Sequence, residues 1–256
     1  MTVTGFIGTV CMFPMRAIIA ASVALGIHPN ALTLIGLLIN IAAAWALALD
    51  RFLLAGAIMV VANIFDFIDG KVAVLTNTGS RFGAFWDSSL DRLSDITLFL
   101  GLIYLYASLR RTDYVMVAAL AMMFSIMTSY ARARAESLID KCKVGFMERP
   151  ERIVLFMIGA FTNRMAGVLW VILILSIVAV ANRIHYTYLA LNDRPVPTGS
   201  NVVTRAFWRA FFWQDPRMTL PYDAWVIAIL SFVWLVPPDW LGDPTASGNG
   251  LWEFLR

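Results

Sequence analysis

The stretch NIFDFIDGKVAVLTNTGSRFGAFWDSSLDRLSD, residues 63–95, places carboxylates beside strongly apolar segments of the chain. Four of its aspartates are spaced as two couples, Asp66 with Asp69 and Asp87 with Asp91. Spacings of three and four residues put both members of a couple on one face of a helix. Acidic side chains within apolar helices are costly and are usually functional, so this stretch indicates a site.

Composition indicates the environment in which the chain folds. Of its 256 residues, 60% are hydrophobic, 14% are charged, and the net charge is +3. Apolar runs at residues 31–49 and 165–181 approach or reach the length that crosses a bilayer. We therefore expect an all-α integral membrane protein surrounded by membrane lipids, because spans in lipid must satisfy their own backbone hydrogen bonds. We expect no nucleic-acid partner.

The hydropathy pattern predicts a six-transmembrane-helix bundle preceded by an interfacial helix over residues 5–25. The predicted spans are residues 31–49, 52–75, 82–109, 113–138, 151–162 with a continuation past Asn163, and 165–190. Lysine and arginine concentrate on one side of this topology, which predicts a multi-pass protein of the cytoplasmic membrane with both termini inside. The cysteines, Cys11 and Cys142, are expected to be unpaired.

Two domains are predicted, a membrane domain over residues 1–190 and a C-terminal extension over residues 191–256. The extension begins with a linker at residues 192–201, followed by a predicted interfacial helix at 202–213. The apolar run at 224–238 is short for a span, so re-entrant, interfacial and seventh-crossing arrangements all stay open.

The four aspartates are expected to converge through a helical hairpin. The sequence TNTGS at residues 76–80 is rich in residues that favour turns. Folding about residue 78 brings Asp66 level with Asp91, and Asp69 level with Asp87. The sequence thus predicts one pocket near the cytoplasmic surface, so the site is expected to face the cytoplasm.

Four carboxylates in one pocket repel each other unless a positive charge holds them. One or two divalent cations would do so, and oxygen ligands favour Mg²⁺, Mn²⁺ or Ca²⁺ over zinc. The alternative is a set of salt bridges to Lys71, Arg81 and Arg92. Nearby small residues, Gly70, Ala73 and Gly83, either make room for a polar ligand or serve helix packing.

These residues resemble the signature of the CDP-alcohol phosphotransferases, D-x2-D-G-x2-A-R-x8-G-x3-D-x3-D. The signature runs from Asp66 to Asp91, and one position departs from it, because Val74 stands where the family has arginine. The resemblance covers roughly residues 1–190 and includes PNALT at residues 29–33. It implies a six-helix homodimer that moves a phosphatidyl or similar group from a CDP-linked donor to an alcohol and releases CMP.

The resemblance also implies roles for individual residues. Asp91 would be the general base on the acceptor hydroxyl and would share in the metal site. The resemblance implies two metal ions, Mg²⁺ or Mn²⁺, whose ligands would be Asp66, Asp69, Asp87 and Asp91. The donor, CDP-diacylglycerol, would be bound by Asn30, Thr33, Asp66, Asp69, Gly70, Ala73, Gly83 and Asp87.

Arginines at the ends of later spans are candidates for binding a phosphorylated acceptor alcohol. They are Arg132, Arg134, Arg152 and Arg183. The stretches SYARARAESL at 129–138 and ERPER at 148–152 resemble the phosphatidylinositol-phosphate synthase branch, which implies inositol phosphate as acceptor. Phosphatidylglycerophosphate synthase, which uses glycerol 3-phosphate, is the rival, and plain positive-inside anchoring of the arginines stays open.

Two alternatives belong to other functional classes. Carboxylates in a membrane bundle also build cation transporters, although such sites usually lie near the midplane. A catalytically inactive scaffold of the same fold is the second alternative, since Val74 cannot hydrogen-bond a phosphate. Lys71 and Arg81 are nearby residues that could replace the missing arginine.

Overall fold

A computed structural model describes residues 17–213, 215, 217 and 219–246 of the chain. Its regular secondary structure within these residues is helical, which confirms the predicted all-α class. The helices are α1 (Pro29–Ala48), α2 (Phe52–Leu75), α3 (Arg81–Ser108), α4 (Thr112–Ala135), α5 (Arg149–Thr162), α6 (Met165–Leu191), α7 (Val202–Phe211), α8 (Leu220–Leu235) and α9 (Pro238–Leu241). Residues 17–24 are also helical, and the rest of the predicted interfacial helix at 5–25 falls mostly outside the described residues.

Four of the described helices, α1, α2, α4 and α6, are long and apolar enough to cross a membrane. Helix α3 has 28 residues, but its first half carries several charged side chains. Helix α5 has only 14 residues, fewer than the roughly 20 that a straight span needs. The chain is an integral membrane protein, and the count of six crossings stays a prediction.

The helix boundaries follow local capping signals. Helix α1 starts with Pro29, and the His28 ring nitrogen Nδ1 accepts a hydrogen bond from the Asn30 amide at 3.2 Å. The predicted continuation of the fifth span past Asn163 is wrong. Helix α5 ends at Thr162 because Asn163 adopts a left-handed conformation, with φ of 53°, before α6 begins.

The described chain forms two compact units that divide between Leu109 and Arg110. The first contains α1 to α3 and the second contains α4 to α9. This division reflects contacts within the folded chain, and the sequence-based boundary between residues 190 and 191 stays a prediction.

In the first unit, α1 packs against both α2 and α3. A small apolar cluster joins Ile19 and Leu32 to Ile68 and Val72 of α2. Helices α1 and α3 approach closely at Gly101, which lies against the Ala44 backbone. Such close approach through small residues is typical of helices in membranes.

The predicted turn between α2 and α3 is confirmed. Helix α2 ends at Leu75 and α3 begins at Arg81. Asn77 takes a left-handed conformation with φ of 54°, and the Ser80 hydroxyl caps α3 by accepting a hydrogen bond from the Gly83 amide at 2.9 Å. The turn joins the two aspartate-bearing helices, and each of them packs against α1 rather than along the other as the predicted hairpin.

In the second unit, α6 is the central helix and contacts α4, α5, α7, α8 and α9. Residues 192–201 lack regular structure, as expected of a linker, and α7 and α8 follow in the C-terminal extension. Cys142 is a free, buried cysteine, whereas Cys11 lies outside the described residues. The placement of α7 and α8 relative to a membrane stays a prediction.

The close approach of α1 and α3 leads to a stability prediction. A Cβ atom added at Gly101 would lie 2.3 Å from the Ala44 carbonyl oxygen, so the helices must separate. We expect Gly101→Ala to lower the free energy of unfolding by about 1–3 kcal/mol, as overpacked cores do. Thermal unfolding in detergent measures this loss. Gly79→Ala is the control, because no atom lies within 4 Å of its added Cβ, and equal melting temperatures for the two variants would contradict the prediction.

Candidate functional site

A pocket of about 210 Å³ lies within the first unit. We call it the aspartate pocket. It is formed by the start of α1, the last turns of α2, the turn and the start of α3. Its described lining residues are Pro29, Asn30, Thr33, Asp69, Gly70, Ala73, Thr78, Gly79, Ser80, Gly83, Ala84 and Asp87.

Asp69 is the deepest carboxylate of this pocket, with only 5% of its surface exposed. The Thr33 hydroxyl donates a hydrogen bond to Asp69 Oδ2 at 2.6 Å, and Thr33 is itself buried. This bond joins α1 to α2 and holds the Asp69 side chain in one orientation. A buried carboxylate needs such a donor because desolvation penalises its charge.

The other three aspartates are placed around Asp69 in different ways. Asp87 lines the same pocket, and the charges of Asp87 and Asp66 both act on the Asp69 carboxylate. Asp66 also packs towards α1, since a Cβ at Gly36 would lie 3.1 Å from its Oδ1. Asp91 is half-buried one turn after Asp87 and is not among the pocket's described lining residues.

The carboxylates lie near each other but do not form a complete set of metal ligands. Across the described ranges, no group of three His, Cys, Asp or Glu side chains is arranged to hold a metal ion. The oxygen atoms that line the aspartate pocket come from carboxylates, hydroxyls and an amide side chain. This donor set fits a hard divalent cation better than zinc.

Two small residues in the pocket have different surroundings. An added Cβ at Gly70 would meet no atom within 4 Å, so this position faces open space. An added Cβ at Gly83 would lie 3.2 Å from the Ser80 hydroxyl and 3.4 Å from Asn30 Oδ1. Gly70 therefore keeps access to the pocket, whereas Gly83 allows close packing at the pocket wall.

Val74, the residue that departs from the family signature, is 77% exposed on α2. Lys71 is also exposed, and its ammonium group lies 5.5 Å from the centre of the Phe67 ring. No lysine or arginine is among the residues described as lining the aspartate pocket. Its lining therefore presents carboxylates and neutral polar groups.

Three of the four candidate arginines meet within the second unit. The Arg152 and Arg183 side chains are buried, with 2% of each residue exposed. Arg152 Nη1 donates to the Thr128 hydroxyl at 3.2 Å, while Arg183 donates to the Thr128 carbonyl and to the Val144 carbonyl, the latter at 3.0 Å. Arg132 joins them through Glu148, whose Oε1 lies 2.8 Å from Arg132 Nη1 and 4.0 Å from Arg183 Nη2. We call Arg132, Arg152 and Arg183 the arginine cluster.

Arg134 lies apart from the arginine cluster in its contacts. Its side chain is exposed and donates a hydrogen bond to the Ser137 hydroxyl at 3.1 Å. Residues two positions apart on a helix point roughly 200° away from each other, so Arg132 and Arg134 cannot share one face of α4. Spacing along α4 could have separated these two arginines before the structure was known.

Glutamates were missed by sequence reasoning, although they lie in the quoted ERPER stretch. Glu148 and Glu151 form a capping box at the start of α5 and bind arginines at the same time. Arg217 of the C-terminal extension contacts both, with Nη2 3.0 Å from Glu148 Oε2 and Nε 2.8 Å from Glu151 Oε1. The capping pattern was a usable sequence signal, but the pairing with Arg217 is a tertiary contact.

A second pocket, of about 380 Å³, lies beside these glutamates. We call it the extension pocket. Its described lining residues are Lys143, Gly145, Phe146, Glu148, Glu151, Trp213, Asp215, Arg217 and Tyr222. The hydrogen bond to Glu151 raises the pKa of Arg217, and burial followed by the Glu151 charge raises the pKa of Tyr222 to about 12. Arg217 thus stays charged and Tyr222 stays a hydrogen-bond donor at neutral pH.

Known proteins are similar to this chain in sequence. An archaetidylinositol phosphate synthase of Pyrococcus horikoshii is 36% identical over 173 residues, covering 67% of this chain and 89% of the relative. A phosphatidylinositol phosphate synthase of Mycobacteroides abscessus is 33% identical over 169 residues, covering 62% of this chain and 77% of the relative.

Solved structures of the Mycobacterium tuberculosis phosphatidylinositol phosphate synthase also resemble the chain. The crystal structure with CDP-DAG bound has a TM-score of 0.64 and 25% identity, over 68% of this chain and 93% of that protein. The crystal structure in complex with manganese and citrate has a TM-score of 0.64 and 26% identity, over 68% and 88%. The sequence profile described as CDP-alcohol phosphatidyltransferase matches residues 26–190, and the chain belongs to this family.

Proposed function

We propose that the chain transfers a phosphatidyl group from CDP-diacylglycerol to a hydroxyl of inositol phosphate and releases CMP. The observation that carries this proposal is the aspartate pocket, where Asp69, Gly70, Ala73, Gly83 and Asp87 of the family signature line one cavity. The acceptor is supported by the names of the relatives, which both describe synthesis of an inositol phosphate lipid. The donor is supported by the relative that was solved with CDP-DAG bound.

The aspartate pocket would bind the cytidine diphosphate part of the donor. Gly70 faces open space and leaves room for it, while Asn30 and Thr33 offer polar groups at the start of α1. A pyrophosphate brings negative charge into a lining that already contains Asp69 and Asp87. Such a ligand is repelled unless a cation accompanies it.

A divalent cation fits this requirement, because the pocket supplies oxygen donors. Asp69 and Asp87 would hold it, with Asp66 and Asp91 as the further carboxylates of the signature, and two ions are proposed in all. The choice of Mg²⁺ or Mn²⁺ is supported by the relative in complex with manganese. When bound, the metal neutralises charge on the pyrophosphate as CMP leaves.

Asp91 is the proposed general base. Its position one turn after Asp87 keeps it near the signature carboxylates while leaving it outside the described lining of the donor pocket. It would accept the proton of the acceptor hydroxyl as the hydroxyl oxygen attacks the lipid-linked phosphorus. The bond from that phosphorus to the CMP oxygen then breaks, and the lipid phosphate becomes a diester.

The arginine cluster is the proposed binding site for the acceptor phosphate. Arg132, Arg152 and Arg183 meet around Thr128 and Glu148, and guanidinium groups bind phosphate through paired hydrogen bonds. Arg134, with its exposed side chain, would contribute only through its charge. We further propose a homodimer whose active site faces the cytoplasm, on the basis of the positive-inside distribution and the family resemblance.

Metal dependence is the first prediction from this site. The purified chain in detergent should release CMP from CDP-diacylglycerol and inositol phosphate only when Mg²⁺ or Mn²⁺ is present. The reason is the repulsion between the donor pyrophosphate and the pocket carboxylates. Activity is measured before and after addition of excess chelator and again after the ion is restored. Unchanged turnover in chelator would show that the carboxylates act without a cation.

Asp91→Asn should separate donor binding from turnover, because asparagine keeps the shape and removes the base. We expect turnover to fall by roughly 10²–10⁴-fold, the range typical of general-base removal. Donor affinity, measured by CMP-producing assays at varied CDP-diacylglycerol, should change little. Asp95→Asn, which alters a buried aspartate one turn further along α3, is the matched control. Near-normal turnover of Asp91→Asn would assign the base to another group.

A panel of acceptors tests which alcohol is used. We expect inositol phosphate to drive CMP release best, glycerol 3-phosphate less well, and free inositol, serine and ethanolamine hardly at all. Two charge-assisted hydrogen bonds to the phosphate account for roughly two to four powers of ten in preference. Lipid products are identified by mass. A preference for glycerol 3-phosphate would place the chain in the rival branch, and a preference for a neutral alcohol would refute the phosphate site.

Arg132→Ala and Arg134→Ala form a matched pair for the acceptor site, since both remove an arginine from the end of α4. Arg132 contacts Glu148 of the cluster, whereas Arg134 contacts Ser137. We expect the acceptor KM to rise by about tenfold or more for Arg132→Ala and much less for Arg134→Ala. The donor KM should stay constant in both variants, and equal effects on the acceptor KM would contradict the assignment.

A further inference from the structure

The C-terminal extension docks onto the second unit through built contacts beyond residue 190, where the family match ends. The Gly145 amide donates to the Trp213 carbonyl at 3.0 Å, and Asn182 Nδ2 donates to the Phe211 carbonyl at 2.6 Å. Trp213 is buried and meets the Phe146 ring edge-on, with ring centres 5.6 Å apart. Residue 213 is therefore fixed beside the loop that leads into α5.

Arg217 follows this docked segment and binds two glutamates of α5. Its Nη2 lies 3.0 Å from Glu148 Oε2, and its Nε and Nη2 lie 2.8 Å and 3.2 Å from the two oxygens of Glu151. Tyr222 adds a hydrogen bond of 2.9 Å from its hydroxyl to Glu151 Oε1. The Glu151 side chain is only 7% exposed, so these contacts compensate a largely desolvated charge.

Glu148 links Arg217 to the arginine cluster. Its Oε2 faces Arg217, while its Oε1 faces Arg132 and, more distantly, Arg183. The described ion pairs of this network join three arginines to three glutamates, Glu136, Glu148 and Glu151. Arg152 of the arginine cluster lies beside these pairs, so the group carries one net positive charge with Arg217 and none without it.

We propose that Arg217 is a positioning residue that sets the preference for a phosphorylated acceptor. By binding Glu148 and Glu151, it compensates the Glu148 carboxylate when an anion displaces that carboxylate from Arg132. This proposal rests on the proposed function, because it assumes that the arginine cluster binds the acceptor phosphate.

The physical reason is a competition for the same donors. An incoming phosphate must displace the Glu148 carboxylate from Arg132, and a displaced carboxylate needs another cation nearby. Arg217 supplies that cation through Glu148 Oε2, on the side away from Arg132. Without Arg217, Glu148 holds Arg132 more tightly, and the phosphate meets one positive charge fewer.

Arg217→Ala tests the proposal in the full-length protein in detergent, with CDP-diacylglycerol as donor. The apparent KM for inositol phosphate should rise by about tenfold or more, the factor that one charge-assisted hydrogen bond represents. The turnover number and the donor KM should stay within about twofold. Arg209→Ala is the matched control, since it breaks the 2.9 Å pair with Asp215 of the same extension without touching the network. An unchanged acceptor KM in Arg217→Ala would overturn the proposal.

A second substitution separates positioning from simple structural support. Glu148→Gln removes the competing charge, so adding it to Arg217→Ala should return the acceptor KM to within about threefold of the wild type. A further rise of the acceptor KM in the double variant would overturn the proposal. If Arg217→Ala does not fold, the comparison uses Arg217→Lys, which should resemble the wild type, and Arg217→Gln, which should show the loss.

The acceptor panel, measured on the wild type, tests the phosphate site separately from the role of Arg217. A wild type that prefers a neutral alcohol refutes both the phosphate site and the role of Arg217. A wild type that prefers inositol phosphate, with an acceptor KM that Arg217→Ala leaves unchanged, refutes only the role of Arg217. A wild type that prefers glycerol 3-phosphate is consistent with the role of Arg217, provided that the KM for glycerol 3-phosphate rises in Arg217→Ala.

Discussion

Charged side chains buried in apolar helices must be compensated by specific partners, and this constraint shapes both units of the chain. In the first unit, the Thr33 hydroxyl donates to the Asp69 carboxylate at 2.6 Å and thereby joins α1 to α2. In the second unit, buried Arg183 donates to backbone carbonyls of Val144 and Thr128. Each buried charge thus joins parts of the chain that are distant in sequence. The helices around these charges provide the apolar surroundings that make the contacts specific.

Buried charges are compensated differently in the two units. In the aspartate pocket, the Asp69 carboxylate is paired with the neutral Thr33 hydroxyl, an arrangement that is compatible with an external cation. The arginine cluster is compensated by protein glutamates, so an external anion must compete with Glu148. A pocket of the first kind favours a ligand that arrives with its metal. A site of the second kind favours a ligand that can replace a carboxylate, and a phosphate meets that condition.

Helix positions could be predicted from sequence because hydropathy and turn residues act locally. The turn at residues 76–80 and the start of α1 at Pro29 both follow from side-chain preferences of a few neighbouring residues. The break at Asn163 was missed because a left-handed asparagine leaves a weak local signal. Partners of the arginines could not be predicted, since Glu148 and Arg217 are far apart in sequence and meet only in the folded chain. Of the four signature aspartates, Asp69 and Asp87 are among the described lining residues of the pocket, and the hydrogen bond from Thr33 to Asp69 could not be predicted from the signature.

Under the proposed function, Val74 gives a bound cation a larger role in the first unit than the family pattern implies. Its side chain is 77% exposed, and valine offers no hydrogen bond to a phosphate. Lys71, the nearest candidate replacement on α2, instead lies over the Phe67 ring. The described lining of the aspartate pocket then contains neither lysine nor arginine, so its amide and hydroxyl groups can orient a pyrophosphate without neutralising it. The proposed function assigns neutralisation at this pocket to metal held by the carboxylates, which makes the couple of Asp69 and Asp87 the centre of the proposed chemistry.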